Sequence, residues 1–147
     1  MHFDCYAEPV GARELIENAQ AYDGKTIAYA GEVIGDIMRR GNFVWINVSD
    51  GEKAIGIWLE GSLLEQADLL AGSYRSTGDL IEVIGAFHRA CPEHGGDLDI
   101  HAFQIEKIAP GRHNPEASSL NTGKRNAAVV LLGVLGLIWI LTQLKFK

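Results

Sequence analysis

The residues best equipped for chemistry sit in one short stretch, HRACPEHGGDLDIH, residues 88–101. It holds three of the chain's five histidines and one of its two cysteines. Imidazole nitrogens and a thiolate form a donor set suited to Zn²⁺ or a similar transition metal. His88, Cys91, His94 and His101 are therefore the candidate metal ligands. Asp97 and Asp99 would add ligands or accept the outer imidazole N–H groups. A hairpin symmetric about residues 92–97 sets His88 opposite His101, with Cβ atoms about 5 Å apart. Cys91 and His94 would then reach in from the loop. The spacing is that of no familiar zinc finger, so two other readings stay open. One is a polar rim around a Gly-Gly turn with a reduced cysteine. The other is haem ligation through His or Cys, although the CxxCH attachment motif is absent.

A second set is aromatic. In residues 43–48, Phe43, Trp45 and Asn47 alternate with Val44, Ile46 and Val48; in 53–60, Trp58 alternates with Ile55, Ile57 and Leu59. A period of two places the rings on one side of each strand and the aliphatic chains on the other. Ser49-Asp50-Gly51-Glu52 reads as the hairpin loop between them, and symmetric pairing brings Trp45 opposite Trp58. Such a face can stack on nucleic-acid bases for about 1–3 kcal/mol each. Arg39, Arg40 and Arg89 would supply nearby positive charge. The same rings could instead pack beneath a helix or against a protein partner.

Catalytic patterns are weaker. Glu32, Asp36, Asp50, Glu82 and Asp99 are scattered, and no carboxylate pair, phosphate loop or dinucleotide fingerprint reads out. Asp50-Gly51 suits turn chemistry. Cys91 near His88 and His94 is the one candidate thiolate–imidazole pair. An enzyme is not the favoured reading.

The elements that must position these groups follow from periodicity. Residues 12–21 carry Leu15, Ile16 and Ala19 at helical spacing, and Tyr22-Asp23-Gly24 ends that helix. A long strand over 25–38 turns Ile27, Tyr29, Val33 and Ile37 inward, with Gly31 and Gly35 marking a bulge or tight bend. The two aromatic strands follow. Ser62, with Glu65 three residues on, predicts a capped helix through Leu70. Residues 72–78 form a loop. A fourth strand over 79–89 alternates Ile81, Val83, Gly85 and Phe87, and a fifth covers 98–108. Five short strands with a helix between the third and fourth suggest a mainly β, five-stranded Greek-key barrel of the OB type.

Particular segments carry a resemblance. GEVIGDIMRRGNFVWINVSDGEKAIGIW resembles the first three strands of nucleic-acid-binding OB-fold domains of the tRNA anticodon-binding type. GDLIEVIGAF and LDIHAFQIEKI are similar to their last two strands. The resemblance implies that fold over 25–109 and a single-stranded nucleic acid as partner.

Charge opposes a generic nucleic-acid binder. Residues 1–112 hold nine Lys and Arg against eighteen Asp and Glu, a net of −9. Phosphate attraction dominates non-specific affinity, and an acidic domain forgoes it.

The remainder organises into a linker and an anchor. Residues 110–126, PGRHNPEASSLNTGKRN, read as a linker after the 1–24 segment and the 25–109 barrel. Residues 127–144 contain no charge over 18 positions and are flanked by Lys124, Arg125, Lys145 and Lys147. As a helix this run spans about 27 Å, close to a hydrocarbon core of about 30 Å, and predicts a single C-terminal transmembrane helix. The N-terminus, MHFDCYAEPVGAREL, holds no apolar run of signal-peptide length. The expectation is thus a membrane-tethered binding module facing the cytoplasm with Cys5 and Cys91 reduced. Its ligand is a single-stranded nucleic acid, a transition metal or a protein partner.

Overall fold

The computed structural model describes residues 9–113, 126–127, 129–136 and 139. The chain divides into two units, Met1–His113 and Asn114–Lys147.

In the first unit the elements are α1 (Ala12–Glu17), α2 (Ala19–Tyr22), β1 (Thr26–Arg40), β2 (Phe43–Ser49), β3 (Ala54–Glu60), α3 (Gly61–Ala67), β4 (Ser76–Thr77), β5 (Leu80–Cys91), β6 (Asp97–Ala109) and β7 (Arg112–His113). Five of these strands close a barrel in the order β1-β2-β3-β6-β5. All its pairings are antiparallel except β3 with β6. Alternation explains the core: Tyr29, Val33, Val44, Ile46, Val48, Ile55, Ile57, Leu59, Ile81, Val83, Phe87 and Ile100 are all buried. Ala12 and Leu15 from α1 and Leu64 from α3 join the same cluster. This is the OB barrel expected from the strand pattern, with the helix between its third and fourth strands.

The long first strand is irregular at one of its two expected glycines, Gly35, while Gly31 pairs in regular register with Ile81. Its pairing with β2 slips between Ile34 and Met38, and Gly35 there has φ +73°. That left-handed backbone costs glycine little and other residues more.

Several local expectations are corrected. The first helix breaks at Asn18, whose φ is −111°. The Asn18 N–H still bonds the Glu14 carbonyl and its side chain donates to Glu14 Oε1 at 3.0 Å, so the break follows that last turn and α2 restarts at Ala19. Ser62 caps nothing: α3 has Glu60 at its N-cap, and the Ser62 hydroxyl donates to the Glu60 carboxylate. The helix stops at Ala67, with Asp68 left-handed at φ 44°, short of Leu70. The loop over 72–78 contains β4, and the start of the segment read as a linker pairs with it, Ser76 with His113 and Thr77 with Arg112. Residues 114–125 of that segment lie outside the described residues.

Asp50 does more than shape its turn. It accepts from the backbone N–H groups of Glu52 and Lys53 and also from Ala12 at the start of α1, at 2.7 Å. A helix with no capping side chain of its own is thereby capped from the β2–β3 hairpin. Burial works to raise the Asp50 carboxyl, but the N–H groups of Lys53, Ala12 and Glu52 outweigh it and hold the group below its ordinary value.

In the second unit residues 126–127, 129–136 and 139 are helical. Among the described residues no helix is long and apolar enough to cross a membrane. Much of the predicted anchor, residues 128, 137–138 and 140–144, lies outside them.

Candidate functional site: a ring and imidazole cluster on the outer barrel face

Strand register builds the site. Reading across the barrel, one outward row runs Met38, Trp45, Trp58, His101 and Ala86. The next row up runs Asn47, Gly56, Asp99 and His88. The row below runs Arg40, Phe43 and Glu60. The aromatic face and the histidine-rich hairpin, distant in sequence, therefore share one continuous surface. The parallel pairing of β3 with β6 joins them.

The expected cross-strand pair is corrected. His88 faces Asp99, not His101, and His101 faces Ala86. The pairing of β5 with β6 slips between Ile84 and Gly85 and again between His88 and Cys91. Residues 92–94 form a short 3₁₀ turn, and Gly95 and Gly96 have positive φ, so the connection is not the symmetric loop assumed. The two imidazoles still meet diagonally, with centroids 4.4 Å apart.

Asp99 is the centre of the cluster, and it is fully buried although it sits on the outer face. Rings roof it over. His94 Nδ1 bonds Asp99 Oδ2 at short range. His101 Nε2 lies 3.4 Å from the same oxygen, and His88 Nδ1 lies 3.8 Å from Oδ1. Oδ1 is buried without a hydrogen-bond partner. Cys91 Sγ, itself buried, contacts His101 Nε2 at 3.4 Å. Burial pushes the Cys91 thiol up, and the Asp99 carboxylate pushes the same way against opposing N–H groups of Glu93 and His94, so the thiol keeps its proton at neutral pH.

One donor atom from each of His88, Cys91, Asp99 and His101 lies within 4.8 Å of the others, and Glu93, His94 and His101 form a second, more exposed group. Either set could hold a metal. In the first, Asp99 stands in place of the expected ligand His94, whose ring is turned toward the tryptophans. Asp97 pairs with Cys91 at the hairpin end.

His94 joins the two halves of the surface. Its ring centroid is 4.6 Å from Trp58 and 5.2 Å from Trp45. Phe43 stacks parallel on Trp58, 5.1 Å away with 11° between planes. Trp45 and Trp58 face each other directly across β2 and β3, with centroids 6.4 Å apart, because the loop runs over residues 50–53 and pairs Ser49 with Ala54, one residue later than the 49–52 loop expected. Gly56 makes this possible: a Cβ there would lie 2.0 Å from the Trp45 indole. Nothing in the strand pattern signalled that role. A groove of about 380 Å³ runs beside the rings, lined by Met38, Arg40, Trp45, Glu93, His94 and Asp97.

The three arginines part company. Arg40 lines that groove and makes no ion pair among the described residues. Arg39 pairs with Glu65 of α3 at 3.5 Å. Arg89 pairs with Asp23 at 3.3 Å, and strand alternation turns it away from His88.

Closed-barrel topology, with a helix between the third and fourth barrel strands, defines the fold as an OB barrel. No protein-family model matches the chain, and no curated protein is similar to it. Solved structures are. Asparaginyl-tRNA synthetase from Pyrococcus horikoshii matches with TM-score 0.54 at 21% identity, over 78% of this chain and 27% of that one. Aspartyl-tRNA synthetase from Entamoeba histolytica matches at 0.52 and 14%, over 77% of this chain and 23% of that one. An OBody bound to hen egg-white lysozyme matches at 0.51 and 20%, over 69% of this chain and 94% of that one. The chain thus spans about a quarter of the synthetases it resembles, and the likeness is one of fold.

Proposed function

We propose that the barrel is a recognition module that takes a short single-stranded nucleic acid on the outer face of β2 and β3, at a membrane to which residues 127–144 fasten it. The carrying observation is the parallel stack of Phe43 on Trp58 beside Arg40. Phe43 is 39% exposed, so a base laid on its ring would extend an existing stack. The groove beside Trp45 has room for a neighbouring nucleotide, and Arg40 is placed to meet one phosphate. The OB fold shared with tRNA synthetases supports the same ligand class.

Acidity limits the mode. With one arginine at hand, stacking rather than phosphate attraction supplies affinity, and the logarithmic salt slope is shallow, about −0.7 for one phosphate neutralised on a single strand. Tryptophan quenching by a short oligo-uridine, measured on the full chain in detergent, tests this. Phe43→Ala with Trp58→Ala should weaken binding at least about tenfold, in line with about 1–3 kcal/mol per stacked base. Unchanged affinity in that double variant overturns the proposal.

The net charge of −9 over residues 1–112 favours a second reading, a protein partner on the same rings. Its signature is a partner that survives nuclease and is lost with Trp58→Ala.

Support for the tether is the uncharged 18-residue run together with the exposure of Val129, Val130, Leu131, Leu132, Val134 and Leu135, which lipid would cover. Retention in membranes through alkaline carbonate is expected, and release into the supernatant would rule the tether out.

A further inference from the structure

We propose that His88, Cys91, Asp99 and His101 form a tetrahedral Zn²⁺ site beneath the aromatic face. Metal–ligand bonds of about 2.0–2.3 Å set the edges of such a tetrahedron at roughly 3.4–3.8 Å. Cys91 Sγ stands 3.4 Å from His101 Nε2, and His88 Nδ1 stands 3.8 Å from Asp99 Oδ1. No donor of the four is more than 4.8 Å from another.

The independent observation is Asp99 Oδ1. It belongs to a residue with 0% exposure, lies 3.8 Å from His88 Nδ1 and has no hydrogen-bond partner. An uncompensated buried carboxylate oxygen is unfavourable, and a cation removes the deficit. Charge closes as well: one thiolate, one carboxylate and two neutral imidazoles around Zn²⁺ leave a neutral buried centre. Cys91 gives its proton to solvent when the ion binds, one proton for each Zn²⁺. His94 keeps Asp99 Oδ2 and rests on Trp45 and Trp58, so it is a positioning residue that orients the carboxylate.

The test uses the full chain, purified without an affinity tag, stripped by chelator and kept reduced. Titration with Co²⁺ should saturate at one equivalent. The spectrum should show the intense visible bands of tetrahedral cobalt and a near-ultraviolet thiolate charge-transfer band, both bleached by Zn²⁺. Cys91→Ser should remove the charge-transfer band and weaken Zn²⁺ binding at least about tenfold. His94→Ala should weaken it about 10–100-fold, shift the visible envelope and keep the charge-transfer band. Asp99→Asn should also weaken binding at least about tenfold; if that variant does not fold, His88→Ala, at a partly exposed position, takes its place.

Failure to saturate near one equivalent, the weak spectrum of octahedral cobalt, or a charge-transfer band that persists in Cys91→Ser would each overturn the site. The outcome is separable from strand recognition. Phe43→Ala, remote from the donors, should lose oligonucleotide affinity and leave the cobalt spectrum unchanged.

Discussion

Asp79 and Asp99 are nearly sealed from water, at 2% and 0% exposure, yet the barrel satisfies them in opposite ways. Asp79 accepts the Gly111 N–H at 2.6 Å on one oxygen. Its other oxygen takes the Leu70 N–H and the Lys107 ammonium, both at 2.8 Å. Nothing is left over, and its three partners come from the chain after α3, from β6 and from the residue before β7. Asp99 has imidazoles and a thiol around it, groups that also bind metals, and one of its oxygens is unpaired. A carboxylate answered by backbone N–H groups and a lysine is a fastening. A carboxylate answered by His and Cys, with capacity to spare, is half of a binding site.

The largest effect expected from this contrast is at the fastening. Asp79→Asn breaks the pair with Lys107 and weakens both backbone bonds, and should cost about 3 kcal/mol in urea unfolding. Metal binding should be unaffected. The same residue shapes the acid limb. Burial tends to raise the Asp79 carboxyl, but the Gly111 N–H, Lys107 and the Leu70 N–H prevail and lower it below 3.8. A lowered folded-state value means that Asp79 stabilises fully above that ordinary value. The contribution disappears as the pH falls from near 3.8 toward the folded-state value. Wild-type stability should therefore drop in that window, and the drop should be shallower in Asp79→Asn. Equal slopes in the two proteins would remove Asp79 from the account.

The contrast also separates what the sequence makes legible from what it does not. Period-two alternation locates the inward set Val44, Ile46, Val48, Ile55, Ile57 and Leu59 and puts Trp45 and Trp58 on one face, because the pleat forces both results; their direct pairing is set by the length of the loop over 50–53. The slip between His88 and Cys91 is not legible, since a bulge leaves the alternation on either side intact. Equal distance from the loop sets His88 opposite His101, whereas the two meet diagonally. In the sequence Asp79 reads as the start of a strand and Asp50 as a turn residue. Their partners, Gly111 and Ala12, lie 32 and 38 residues away, and no local pattern carries a contact of that range. The merging of rings and imidazoles into one surface is likewise a product of the β3–β6 pairing, which brings together strands separated in sequence by α3, β4 and β5.

Between the extremes stands Gly56, which decides whether the two regions stay joined. Gly56→Ala places a methyl where the Trp45 indole lies, and displacing the ring should cost about 2 kcal/mol by overpacking. Tryptophan fluorescence should shift as well, because Trp45 would leave its contact with His94. An unaltered spectrum would mean that the indole has another resting place and that the roof over Asp99 does not depend on it.

The smallest effect should come from the most deeply buried carboxylate. In metal-free protein, Asp99→Asn removes a charge whose Oδ1 has no partner and supplies an amide that can donate to its surroundings, so stability should change by less than about 1 kcal/mol, in either direction. The difference should appear only with Zn²⁺. At a free concentration a hundredfold above its dissociation constant the ion stabilises the wild-type chain by about 2.7 kcal/mol, and Asp99→Asn should forfeit most of that gain. If the metal-free variant instead loses as much as Asp79→Asn, then Asp99 is a second fastening, held by its imidazoles for the sake of the fold alone.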